Sequence, residues 1–194
     1  MVQLGFAALF AGIVALAAAL NAEAGPEIVT LPLLLAGLGI GALASQLGSV
    51  TVSAVPDERS AEVGGLQNTV TNLGASIGTA LAGAVLIAGL TTSFLTGIQA
   101  NPAIPADLSA QAQVQLAAGV PFLSNEQLAA ALSDAGVDQA TATAAIEQNE
   151  QSRLDGLRAA LGLLALIALA ALFLTRGIPV HQPGTPEPAP PPRT

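Results

Sequence analysis

Charge is absent from four long stretches of this chain, and that absence constrains the fold more than any motif does. No Asp, Glu, Lys or Arg occurs in residues 1–22, 28–56, 63–106 or 159–175. Charged residues make up 9% of the 194, whereas a soluble domain carries roughly 25%. A helix crossing the bilayer needs about 20 apolar residues at 1.5 Å rise each. Residues 4–20, 28–54, 63–95 and 157–176 meet or approach that length. The sequence therefore predicts an all-α membrane protein with four transmembrane helices. The first stretch has no Lys or Arg ahead of it and three more follow, so it reads as a span rather than a signal peptide.

The connections set the topology. "NAEAGPE" (21–27) and "VPDERSAE" (55–62) are short polar turns, so the first three spans, within residues 1–96, run up, down and up. Pro56 and Asp57 suit a helix opening, and Ser60 is another candidate cap. Residues 97–152 form a long acidic connection, rich in Ala and Gln, in which two or three short amphipathic helices are expected outside the bilayer. Ser124 and Gln127 have capping-box spacing there, and Leu128 with Leu132 makes a one-sided apolar stripe. The last helix is expected to begin near Asp138 and run unbroken into the final span (153–178), because no proline intervenes. Residues 179–194 are proline-rich and read as a disordered tail.

Arg59, Arg176 and Arg193 fall on one side of this topology, and Arg153 and Arg158 on the other, among acidic residues. The positive-inside rule then places both chain ends in the cytoplasm and the 97–152 segment outside. A net charge of −8 argues against nucleic acid as a partner. The lipid bilayer is the partner the composition demands.

The third span carries the least ordinary pattern. In "GGLQNTVTNLGASIGTALAG" (64–83), Leu66, Val70, Leu73, Ile77 and Leu81 share one helical face. Gly64, Asn68, Thr71, Ala75, Gly78, Thr79 and Ala82 share the opposite one. Small residues allow helix backbones to approach closely in lipid, where there is little hydrophobic drive for association, and Gly74 and Gly78 have that spacing. The second span repeats the device with Gly37, Gly41, Ala44, Gly48 and Thr51. Spans two and three are accordingly expected to be interior, and spans one and four to face lipid.

Gln46, Gln67, Asn68 and Asn72 are the polar candidates within these spans. Two readings stand side by side. Amides in a membrane hold a neighbouring helix, each contributing about 0.6–2 kcal/mol, or they line a polar substrate path. No acid, base or histidine lies deep in a span to carry protons, and His181 sits in the tail. The sequence contains no cysteine and offers no metal-ligand spacing, phosphate-cradling loop or nucleophile–base pair. Neither enzyme activity nor a cofactor is expected.

"AVPDERSAEVGGLQNTVTNLGASIGTALAGAVL" resembles the penultimate-helix region of major facilitator superfamily transporters, in the fourteen-helix drug/proton antiporter branch. "GVPFLSNEQLAAALSDAGV" is similar to the external segment before the last helix of that branch, and "SRLDGLRAALGLLALIALAALFLTRGIP" to the last helix itself. The resemblance covers roughly residues 28–180. It implies that the four helices form part of the C-terminal bundle of a major facilitator fold: an outer helix, a cavity-lining helix, an interface helix and an outer helix. Gly74 and Gly78 would then pack at the interface, and Gln46 and Asn68 would be cavity or interface polar groups. The implied parent exports small hydrophobic or cationic substrates in exchange for protons. The implied partners include the missing N-terminal transporter helices, so the chain is expected to be a C-terminal fragment that does not transport alone. A free-standing four-helix membrane protein that binds other membrane proteins is the alternative.

Overall fold

The computed structural model describes residues 2–21, 25–53, 59–117 and 123–177. Among these there are six α-helices and no strand: α1 (Val2–Ala19), α2 (Pro26–Ser53), α3 (Ser60–Ala100), α4 (Ala106–Ala117), α5 (Asn125–Asp134) and α6 (Gln139–Leu174), which ends in a 3-10 turn at Thr175–Gly177. Four of them, α1, α2, α3 and α6, are long and apolar enough to cross a membrane. The proline-rich tail with His181, and the Pro56–Asp57 turn, lie outside the described residues.

The third helix is longer than expected. It has 41 residues, or about 61 Å at 1.5 Å per residue, twice the hydrocarbon thickness of about 30 Å. Its N-cap position is held by Arg59 without a side-chain cap, so Ser60 is the first residue inside the helix rather than its cap. At the other end α3 projects into the cap formed by the 97–152 segment. There Phe94, Ile98, Ile104, Leu132 and Ala145 form a buried apolar cluster.

The cap contains two short helices, α4 and α5, and the first turns of α6. Ser124 and Gln127 make the expected capping box at α5. Asp138 caps α6, its Oδ1 accepting from the amides of Ala140 (3.1 Å) and Thr141 (3.0 Å). The Thr141 side chain beside the carboxylate, together with the amides of Thr141 and Ala140, favours the ionised form and holds the Asp138 pKa below the ordinary aspartate value. Buried polar groups then fasten the cap to its stem. Thr141 Oγ1 donates to Ala103 O (3.1 Å), Ser109 Oγ to Ile98 O (3.3 Å), and Asn149 Nδ2 to Asn125 Oδ1 (2.8 Å). As expected, α6 runs without interruption from the cap into the final span.

The spatial order of the long helices is α2, α1, α6, α3. α1 packs along both α2 and α6, α3 packs along α6, and α2 and α3 meet only briefly. Ile13, Leu161 and Ala168 form the α1–α6 core, with Leu9, Phe10, Leu16 and Leu164 against it. Within the chain, spans one and four are thus the central pair, and spans two and three are the flanks. The burial expected of spans two and three is not supplied by this chain.

Close helix contacts rest on glycines, though not on those of the two small-residue stripes. A Cβ on Gly12 would come within 2.5 Å of the backbone nitrogen of Ala36, and one on Gly39 equally near that of Leu9. A Cβ on Gly156 would lie 2.8 Å from Leu86 O, and one on Gly89 would lie 3.2 Å from the Cα of Gly156. Only glycine lets these backbones meet, because any side chain would fill the space the neighbouring helix occupies.

Candidate functional site

The contacts between helices fix a common register. At one end, Arg158 of α6 donates from Nη2 to Leu20 O at the end of α1 (2.5 Å), and its Nη1 pairs with Asp155 at 3.3 Å. Ser93 Oγ of α3 donates to the other oxygen of Asp155 (2.7 Å). At the opposite end Gln3 Nε2 of α1 reaches Thr175 O (3.5 Å). From Arg158 to Arg176 is about 27 Å along α6, close to the hydrocarbon thickness. The charged residues of α6 therefore bracket a span of bilayer length.

The polar candidates can be located on this scale. Counted from the contact of Gly12 with Ala36, Gln46 comes level with Val2 and Gln3 at the end away from the cap. Counted from the contact of Gly89 with Gly156, Asn72 comes level with Phe173 and Asn68 with Gly177, and Gln67 lies just beyond. The structure thus brings Gln46, Gln67, Asn68 and Asn72 to the same end of the bundle, near the edge of the span and not at its middle. Sequence position alone did not reveal this, because the 41-residue length of α3 leaves the depth of each residue open.

Their surroundings are open. Asn68 and Asn72 are exposed, and Asn72 Nδ2 donates to Asn68 Oδ1 at 3.3 Å, one turn away on the same helix. Gln67 and Gln46 are half-buried, and Gln46 makes an interaction of its own. A row of carboxamides can donate and accept hydrogen bonds, but it carries no titratable proton. Among the described residues no three His, Asp or Glu side chains are grouped to hold a metal ion.

The packing candidates are equally open. Cβ atoms on Gly37, Gly41, Gly48, Gly74 and Gly78 would meet nothing within 4 Å. On α2, Gly39 faces α1 while Gly37 and Gly41, two residues either side, point away. On α3 both faces of the half away from the cap are bare. Leu66, Val70, Leu73 and Ile77 are 58–63% exposed, and Asn68, Thr71 and Ala75 opposite them are exposed as well. The glycines that do pack, Gly12, Gly39, Gly89 and Gly156, were missed by the sequence reading; the seven-residue interval from Gly5 to Gly12 was the available signal.

No protein-family model, curated protein or solved structure matches the chain.

Proposed function

We propose that the chain is the C-terminal portion of a multi-pass small-molecule efflux transporter of the plasma membrane, with a major facilitator fold and both ends of this segment in the cytoplasm. The parent protein would exchange hydrophobic or cationic compounds for protons. The observation that carries this reading is the uncovered inner half of α3. Its bulky face, Leu66 to Ile77, suits lipid. Its opposite face, with Gly74, Gly78 and the Asn68–Asn72 pair, suits close contact with another helix. α2 offers a second such face at Gly37, Gly41 and Gly48. The resemblance assigns cavity-lining and interface roles to the second and third of the four helices, and these are the two with bare small faces.

In this reading the carboxamides at the inner end are contacts to helices of the remaining bundle, or line the cytoplasmic mouth of a path between the bundles. Alternating access requires two bundles moving around a shared site, so four helices alone do not transport. The test is complementation. The chain is co-expressed with the first ten helices of a fourteen-helix drug antiporter, and proton-dependent efflux of a cationic dye is measured. Efflux is expected with both pieces and with neither alone. Proton-dependent efflux from the purified chain alone in liposomes contradicts the proposal. Failure of the two pieces to co-purify or transport, with the chain recovered in stable complexes with other membrane proteins, favours the free-standing binding protein instead.

A further inference from the structure

The cap holds a half-open apolar pocket of about 150 Å³, outside the span bracketed by Arg158 and Arg176. Phe94 and Ile98 of α3, Leu108 and Leu116 of α4, and Leu128 and Leu132 of α5 supply its bulkiest apolar lining. Two polar side chains touch it. Asn149 is 3% exposed and its amide already donates to Asn125 Oδ1 (2.8 Å) and Leu123 O (3.4 Å). Gln115 is exposed to solvent on α4.

An ordered water needs two to four polar partners, which this apolar wall scarcely offers, and a volume of this size accepts a molecule as large as benzene. Drug-sized ligands occupy pockets of roughly 300–1,000 Å³, so a pocket of this volume suits a smaller molecule. We propose that the cap binds one small apolar molecule of single-ring size, held by aliphatic contact and without any ionic or hydrogen-bonding anchor. This site is built by the cap alone and is independent of whether the chain belongs to a transporter. Its wall includes the part of α3 that lies just beyond the Ser93–Asp155 hydrogen bond.

The test uses the full chain in lipid nanodiscs with labelled Leu and Ile methyl groups, titrated with benzene and followed by NMR. Saturable shifts are expected at Leu108, Leu128 and Leu132, while Leu164 and Leu166 in the span move only in proportion to benzene dissolved in the bilayer. Ala112→Phe, which fills the cavity from α4, should abolish the saturable component; Leu128→Phe fills it from α5 if the first variant disturbs the cap. Non-saturating cap shifts that parallel those of the span overturn the proposal. So do saturable shifts that persist in a filled variant with an intact cap.

Discussion

Gly12 of α1 lies so close to Ala36 of α2 that a Cβ on the glycine would come within 2.5 Å of the alanine's backbone nitrogen. Two helices that meet at this distance cannot accept a side chain there without separating. Gly12→Leu should therefore destabilise the chain by about 1–3 kcal/mol, the usual cost of overpacking, and Gly156→Leu should do the same between α3 and α6. Gly37→Leu and Gly78→Leu place the same side chain in open space and should leave unfolding of the isolated chain in detergent unchanged. The same Gly78→Leu change should prevent complementation with the partner helices, because it then stands in a helix contact. Equal unfolding midpoints for Gly12→Leu and Gly37→Leu would show that the α1–α2 contact is misplaced.

The cap should weaken in acid. The side chain and amide of Thr141, with the amide of Ala140, lower the Asp138 pKa in the folded chain, and the Ser124 hydroxyl lowers that of Glu126. A group with a depressed folded pKa contributes stability that is fully present above its unfolded value, about 3.9 for aspartate, and that is lost as pH falls through the lower folded value. Protection of the first-turn amides of α6, measured as their exchange relative to the unfolded chain at the same pH, should fall below about pH 4, and Asp138→Ala should remove that protection at neutral pH as well. Ser124→Ala, which removes the capping box, should destabilise α5 by about 1 kcal/mol. A protection factor at Thr141 that is the same above and below about pH 4 would contradict the assigned cap.

Arg158 joins three helices at the cap side of the span, through Leu20 O and Asp155, which in turn accepts from Ser93. The ion pair is half-exposed, so its own contribution is about 0–1 kcal/mol. The hydrogen bond to the last turn of α1 adds a similar amount, about 1 kcal/mol. Arg158→Met should lower stability by about 1–2 kcal/mol and loosen the end of α1, read as faster exchange of the Leu20 amide. A variant that loses stability without any change at Leu20 would locate the effect elsewhere.

The four spans were legible in the amino-acid sequence because a charge-free apolar run of about 20 residues, coiled as a helix, matches the hydrocarbon thickness. The capping box at Ser124 and the Asp138 start of α6 were legible for a related reason: each is a local hydrogen-bonding pattern with a fixed spacing. Helix order was not legible. Gly37, Gly39 and Gly41 are alike in sequence, yet Gly39 meets Leu9 and the other two meet nothing. Which glycine is used depends on the rotation of α2 against α1, and periodicity does not contain that angle. The depth of Asn68 was hidden because α3 is about twice as long as a bilayer's hydrocarbon thickness. The cap cavity had no signature either, since its walls come from four separate helices.

The four-helix arrangement requires a single topology, with the start of α1 and the end of α6 on one face of the membrane and the cap on the other. The absence of cysteine allows single cysteines at the exposed positions Gln3, Ala61 and Ser133 to be probed with a thiol reagent that does not cross the membrane. Intact cells, or spheroplasts where an outer envelope blocks access, should label only the Ser133→Cys chain, and lysis should expose the other two. Labelling of Gln3→Cys and Ser133→Cys from the same side would remove a span and contradict the four-helix arrangement.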